Sequence, residues 1–341
     1  MSVGTPLLWS LFAAFVVVAL LIDFFAMNKQ GAHKVSMKEA TIWSLIWVGV
    51  SFVFVGFLWW YMGGLGGGTG TDAAAKQLAD TKALEFITGY VVEKALAVDN
   101  IFVFLMLFTY FAVPAEYQKR ALMIGILVAL VLRGALILVG AWLIAQFHWI
   151  LYLFGAFLVF TGIKMWLAAG DEPDLEANPA LKWVRKHFTI APHFDGEKFF
   201  TKVNGLKMAT PMLVVVILIG IIDVVFAVNS IPAIFAITTD PFIVLTSNVF
   251  AILGLRAMYF LLAGLHEKFH LLPYGLALVL VFIGTKMLLI DIYKIPIEWS
   301  LGGTAAILTV TMLLSVMIKP KSDAVHGAFP FDSKKEKDPQ D

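Results

Sequence analysis

The sequence contains no cysteine, few charged residues and no phosphate-binding glycine loop. Without cysteine, the chain cannot form a disulfide or offer thiolate ligands to zinc, copper(I) or an iron–sulfur cluster. The glycine cluster at 63–70 lacks the Lys-Ser/Thr pair of a nucleotide-binding P-loop. Charged residues make up 14% of the chain, against about 25% in soluble domains. We therefore expect neither an enzyme nor a nucleic-acid partner.

Long apolar stretches dominate the chain, of which 60% is apolar. About 20 consecutive apolar residues suffice for a membrane-spanning helix. We predict an all-α integral membrane protein with about nine spanning helices, at 7–27, 40–62, 84–112, 121–144, 149–169, 211–237, 242–264, 271–291 and 299–318. The first stretch follows no basic segment and precedes no small-residue cleavage site, so it is expected to be a retained helix.

Basic residues indicate how these helices cross the membrane. With the N-terminus outside, 17 lysines and arginines flank the helices on the cytoplasmic side and three on the outer side. The positive-inside rule therefore predicts an outer N-terminus and a cytoplasmic C-terminus.

An internal repeat relates two groups of three helices. Glu93 aligns with Asp223 at an offset of 130, Arg133 with Arg256 at 123, and the pairs Gly162/Gly284 and Lys164/Lys286 at 122. Because three is odd, the second group enters the membrane from the opposite side, which is typical of secondary transporters.

The repeat divides the chain into six predicted segments. They are two N-terminal helices with an outer glycine-rich loop (1–83), repeat 1 (84–169), a cytoplasmic loop (170–210), repeat 2 (211–291), a last helix (292–318) and a disordered cytoplasmic tail (319–341).

Matching positions of the repeats carry polar residues inside apolar helices. The two motifs are Glu93-Lys-Ala-Leu-Ala-Val-Asp99-Asn100-Ile101 and Asp223-Val-Val-Phe-Ala-Val-Asn229-Ser230-Ile231. Intramembrane carboxylates are costly and usually mark an ion or proton path. We therefore predict a functional site around Glu93, Asp99 and Asp223, with Asp23 of the first helix as a further candidate.

A compact site requires a broken helix or ligands from both repeats. Glu93 and Asp99 are six residues apart, so they do not share one face of a straight helix. Pro232 cannot donate to the carbonyl of Val228, and a freed carbonyl beside Asn229 would be a cation ligand. Carboxylate, amide and backbone oxygens suit Mn²⁺, Mg²⁺ or Ca²⁺.

Two other interpretations of the polar residues are open. The acids could simply pair with the intramembrane bases, which are Lys94, Arg133, Lys164, Arg256 and Lys286. Separately, the run from His266 to His270 matches the H-E-x-x-H zinc-protease motif. Gly264 and Pro273 place that run in a short connection rather than on a long helix, so a metalloprotease is not favoured. Glu85 is expected to be interfacial.

At these residues the sequence resembles the TerC/Alx family of bacterial inner-membrane proteins. The resemblance rests on 85–100, 223–236, 239–248 and 253–264, and extends over about 5–318. It implies divalent metal transport, chiefly Mn²⁺ efflux, with links to alkaline pH and tellurite resistance. It also implies a ligand set at matching positions, namely Asp23, Glu93, Asp99, Asn100, Asp223 and Ser230.

Two positions depart from the family pattern. The family usually has Asp at the position of Asn229 and Glu at that of Gly220. The second repeat therefore offers fewer carboxylates than the first. One hypothesis is a Mn²⁺ exporter, driven by proton exchange at the acids. The alternative is a membrane scaffold that assembles stress-response or metalation partners without moving ions.

Overall fold

The computed structural model describes residues 2–30, 36–63, 73–168, 179–203, 205–263, 270–293 and 295–318, without the side chains of 23–30, 73 and 99. These residues form eleven helices and one hairpin: α1 (Pro6–Gln30), α2 (Met37–Gly63), α3 (Ala73–Tyr110), α4 (Ala115–Gln146), α5 (Ile150–Ala168), α6 (Pro179–His187), β1 (Phe200–Val203), β2 (Leu206–Ala209), α7 (Pro211–Phe235), α8 (Pro241–Leu253), α9 (Leu255–Ala263), α10 (Leu272–Leu288) and α11 (Ile297–Met317).

The apolar stretches coincide with helices, but not all are long and apolar enough to cross a membrane. Among the described residues five helices qualify by length and composition, namely α2, α4, α5, α7 and α11, and a sixth span results if the bent pair α8–α9 counts as one. Apolar helices over Pro6–Ile22 and Leu272–Leu288 are shorter. The chain is therefore a helical membrane protein.

Of the two ways to build a compact site, a broken helix or ligands from both repeats, the structure has the second, and Pro232 does not interrupt its helix. α7 continues through Pro232 to Phe235, and the Ala236 amide donates to the Pro232 carbonyl at 3.0 Å. Proline removes only one hydrogen bond, and here it lies in the last turn, so the helix continues for three residues before it ends.

A break occurs instead at Gly254, where α8 and α9 meet at 43°. The Lys94 ammonium, from α3, donates to the Ala251 carbonyl at 3.1 Å. A cation at the C-terminal end of a helix satisfies free carbonyls and opposes the helix dipole. A Cβ at Gly254 would lie 2.5 Å from the Lys94 nitrogen, so glycine makes room for the lysine.

α5 and α10 are in close antiparallel contact through glycines. A Cβ at Gly162 would lie 2.8 Å from the Ala277 carbonyl oxygen, and one at Gly284 would lie 2.8 Å from that of Gly155. Real Cβ atoms do not approach oxygen so closely, so these glycines let the backbones touch. Elsewhere α3 packs against α8, and α4 packs against α7.

The segment before α7 forms a small cap on one end of the bundle. α6 buries Leu181 and Val184, and the Arg185 guanidinium donates to the Tyr110 hydroxyl at 2.8 Å. β1 and β2 pair antiparallel, with Gly205 at φ +81° in the turn. The sequence predicted only a cytoplasmic loop over 170–210, without the hairpin.

Candidate acidic centre between the repeats

One buried arginine holds acids from two helices. Arg133 of α4 has a side chain only 1% exposed. Its Nε and Nη2 donate to the two carboxylate oxygens of Asp223, on α7, at 2.9 Å each. Its Nη1 donates to Glu93 Oε1, on α3. The bidentate pair with Asp223 is the geometry in which a guanidinium binds a carboxylate most strongly.

Two neutral side chains complete the contacts of this guanidinium. Arg133 Nη1 lies 3.3 Å from the Ser230 hydroxyl oxygen. In the orientation of the Asn100 amide that satisfies both its polar atoms, its oxygen accepts from Arg133 Nη2 at 3.3 Å and its nitrogen donates to the Leu96 carbonyl at 3.1 Å. Asn100 and Ser230 also align in the repeat, at an offset of 130.

We call Glu93, Asn100, Arg133, Asp223 and Ser230 the acidic centre. Four of the residues predicted as metal ligands therefore converge in the core, and they converge on Arg133. The sequence had identified Arg133 as an alternative partner for the acids, and its position at their middle could not be deduced from spacing. The side chains of the other candidates, Asp23 and Asp99, lie outside the described residues, as do 264–269 with His266.

The acidic centre is not electrically balanced. Two carboxylates face one guanidinium, which leaves a formal charge of −1 when both acids are ionised. Glu93 Oε2 is buried and accepts no hydrogen bond within the described part of the chain. Buried polar atoms nearly always have a partner, so this carboxylate oxygen can accept a further cation or a proton.

A cavity of about 280 Å³ adjoins the acidic centre between α3, α5, α7 and α10. Asn100 and Ser230 belong both to the centre and to the cavity wall. The remaining wall includes Asn229, Thr161 and Lys164. Asn229 therefore faces a cavity that adjoins the centre, and no hydrogen bond joins it to Arg133 among the described side chains.

The ligands available to a metal ion are few and hard. Among the described side chains, no group of three or more His, Asp or Glu could hold a metal ion. A divalent cation at the acidic centre would rely on two carboxylates, Glu93 and Asp223, with the amide and hydroxyl oxygens of Asn100 and Ser230. Such oxygen ligands suit Mg²⁺, Ca²⁺ or Mn²⁺.

Gly220 lies beside the centre, one helical turn before Asp223 on the same side of α7. Gly220 is buried, and a Cβ there would lie 3.2 Å from Val128 Cγ1. The position where the family pattern has glutamate is therefore filled by close packing between α7 and α4.

Glu85 belongs to a second polar network. Its Oε2 accepts from the Lys82 ammonium at 2.7 Å and from the Thr238 hydroxyl at 2.5 Å. Lys82 also lies 3.5 Å from Asp240, which caps α8 by accepting from the Phe242 amide at 3.0 Å. Asp240 was not predicted as part of a polar network, although an aspartate directly before Pro241 is a helix-start signal.

These features define a helical membrane protein with an ionisable centre buried between its helices. The family model for the integral membrane protein TerC family matches residues 78–323. The chain therefore belongs to the TerC family, as the resemblance predicted.

Relatives match over nearly their whole length. Proteins of Shigella flexneri and Escherichia coli K12, named Alx and provisionally described as membrane-bound redox modulators, are each 53% identical over 96% of this chain and 99% of their own. An uncharacterized membrane protein of Myxococcus xanthus is 46% identical over 95% of this chain and 97% of its own. No solved structure matches the chain.

Proposed function

We propose that this protein carries a divalent metal ion, Mn²⁺ in the first place, out of the cytoplasm through the acidic centre. The observation that carries the proposal is the convergence of Glu93, Asn100, Asp223 and Ser230 on one buried point. Well-packed apolar side chains would stabilise these helices as well as the buried ion pairs do. Stability alone therefore does not account for the charged residues. Ionisable residues within a membrane usually serve transport.

We infer that the sequence repeat is inverted, and this arrangement supports the proposal. Gly162 aligns with Gly284, and Gly155 with Ala277, at the same offset of 122. The contact of Gly162 with Ala277 therefore has an equivalent in the contact of Gly284 with Gly155. In both, a Cβ added to the first glycine would lie 2.8 Å from the backbone oxygen of the partner. Equivalent antiparallel helices that exchange contacts in this way are what a two-fold axis in the membrane plane produces. Sites of inverted-repeat transporters lie at such an interface.

The proposal also includes the location and orientation of the protein in the membrane. We propose nine spans in the bacterial inner membrane, with the N-terminus outside and the C-terminus in the cytoplasm. The distribution of basic residues supports this orientation, with 17 on the proposed cytoplasmic side and three outside. Outward transport would then start from the end of the bundle that carries α6 and the hairpin.

A membrane scaffold without transport is the second candidate. Two observations favour it: Arg133 already pairs with Glu93 and Asp223, and the second repeat has Gly220 and Asn229 where carboxylates are usual. A redox role of the kind named for Alx could not proceed by thiol–disulfide exchange within this chain, which has no cysteine.

Transport is tested with Asp223→Asn, which removes one charge with little change of shape. We expect Mn²⁺ flux into proteoliposomes to fall at least about tenfold, because an amide replaces one of the only two carboxylates in the acidic centre and the site loses a negative charge; a tenfold loss corresponds to ~1.4 kcal/mol. Asp195→Asn is the matched control, because Asp195 bonds Thr201 and Lys198 near the surface. Its flux should equal that of the unmodified protein.

The outcome separates the two candidates. Flux that Asp223→Asn abolishes supports transport through the acidic centre. Absence of flux with correctly folded, unmodified protein would contradict transport and favour the scaffold. Equal flux from Asp223→Asn and the unmodified protein would show that the ion path does not run through the acidic centre.

A further inference from the structure

We propose that the Arg133 guanidinium occupies the metal site when no metal ion is bound, as a positive charge fixed to the protein, and that it competes with the incoming ion for the two carboxylates. This inference rests on the proposed function and specifies how its site is regulated. Each ion entering the centre would displace the arginine, and the arginine would return when the ion leaves.

Competition follows from shared atoms. A guanidinium only donates, so every oxygen it contacts is an acceptor that could instead ligate a cation. Arg133 engages both carboxylate oxygens of Asp223 and Oε1 of Glu93. A divalent ion bound by these carboxylate oxygens requires the guanidinium nitrogens of Arg133 to move away, because the ion and the guanidinium cannot both contact the same oxygens.

Charge favours exchange over joint occupancy. With ionised Glu93 and Asp223, the centre carries a formal −1 with Arg133 in place. A divalent ion added beside the arginine would make it +1, whereas an ion that replaces the arginine would make it neutral. Unbalanced charge is expensive away from water. Exchange makes the pair of carboxylates neutral and moves the positive guanidinium to the polar wall of the adjoining cavity, so it is preferred over an ion and a guanidinium held together between the carboxylates.

The buried oxygen that Arg133 leaves free gives the ion a first contact. Glu93 Oε2 accepts no hydrogen bond from the described residues, whereas Oε1 of the same carboxylate is bound to Arg133. An ion can therefore bind one oxygen before the arginine has left, which lowers the cost of the exchange.

The adjoining cavity can receive the displaced guanidinium. Asn100 and Ser230 already contact Arg133 and also line the cavity of about 280 Å³. Asn229 and Thr161, on its wall, offer oxygens to a moved guanidinium. Lys164 lies on the same wall, and its like charge opposes a long stay. The displaced arginine is therefore driven back once the ion departs.

Direct Mn²⁺ binding tests the competition. The protein is purified in lipid nanodiscs, and the Kd for Mn²⁺ is measured by calorimetry for the unmodified chain, Arg133→Gln and Arg133→Lys. We expect Arg133→Gln to bind Mn²⁺ at least about tenfold more tightly, which corresponds to removal of ~1.4 kcal/mol of competition. Arg133→Lys keeps the charge without the bidentate fork and should be intermediate.

Two controls isolate the effect of the guanidinium. Arg120→Gln changes the same residue type on the same helix, but Arg120 pairs with Glu197 and is 42% exposed, so its Kd should not change. In Arg133→Ala, added methylguanidinium should compete with Mn²⁺ and weaken binding, whereas the unmodified protein should not respond. This response requires a folded site, so it also verifies that the variant has folded. Arg133→Lys keeps the buried positive charge and remains the test if the neutral variants fail to fold: its Kd for Mn²⁺ should be lower than that of the unmodified protein, and an equal or higher Kd would overturn the competition.

The results distinguish competition by Arg133 from the proposed Mn²⁺ transport on which it rests. A Kd for Mn²⁺ that is unchanged or weaker in folded Arg133→Gln, together with Mn²⁺ flux by the unmodified protein, would overturn the competition alone. Absence of both Mn²⁺ binding and flux in every form would overturn the proposed function as well. Tighter binding by Arg133→Gln with reduced flux would support both, since the ion would then be released too slowly.

Discussion

Replacing Arg133 by methionine is expected to lower the free energy of unfolding by about 3–5 kcal/mol when no metal is present. The substitution leaves Glu93 and Asp223 buried, each less than 5% exposed, without their cation. A buried charge that loses its partner costs far more than the pair contributed. Thermal unfolding in nanodiscs with a chelator measures the loss.

Removing the charges as well should reverse most of this loss. The triple variant Glu93→Gln, Asp223→Asn, Arg133→Met contains no buried charge at these three positions, so its stability should approach that of the unmodified protein. Arg120→Met is the control, because exposed ion pairs contribute about 0–1 kcal/mol. If Arg133→Met costs no more than Arg120→Met, the buried pairing is not what stabilises this part of the bundle.

The second large effect is expected at the glycine contacts of α5 and α10. Gly162→Leu and Gly284→Leu should each destabilise the protein by at least about 1–3 kcal/mol, the usual cost of overpacking. In each case the obstructing atom is a backbone oxygen at 2.8 Å, which cannot move aside as a side chain could. Unfolding temperature and yield of folded protein are the measurements.

Equivalent positions should respond equally if the repeat is genuine. Gly162 and Gly284 are repeat partners, so the losses of stability should agree within error. Gly49→Leu on α2 is the matched control, since nothing lies within 4 Å of a Cβ there. A large loss at Gly284 with none at Gly162 would contradict the two-fold relation between the helices.

Local sequence signals predicted the helices well, because apolar length is the property that a membrane selects. They were less successful at boundaries and breaks. α3 begins at Ala73 rather than at residue 84, because its first turns are polar. The bend at Gly254 within the predicted helix 242–264 was not foreseen, and the Lys94 ammonium that donates to the Ala251 carbonyl there comes from another helix. The Asn-Gly pair at 204–205 is a hairpin signal, and it could have predicted the β1–β2 turn.

The acidic centre was predictable in its members but not in its arrangement. Glu93 and Asp223 stand out because acids are rare in apolar helices, and the repeat alignment paired them. Their shared partner is Arg133, 40 residues from Glu93 and 90 from Asp223. Such contacts are set by tertiary packing, so periodicity carries no signal for them. Asn229 illustrates the limit, since it lines the cavity instead of joining the centre.

The most direct test of the central claim is a structure of the protein with Mn²⁺, recorded with anomalous scattering. Our account predicts an anomalous peak between Glu93 and Asp223, with the Arg133 guanidinium moved toward the cavity at Asn100 and Ser230. An unmoved guanidinium between the two carboxylates at saturating Mn²⁺, with the peak elsewhere or missing, would contradict it.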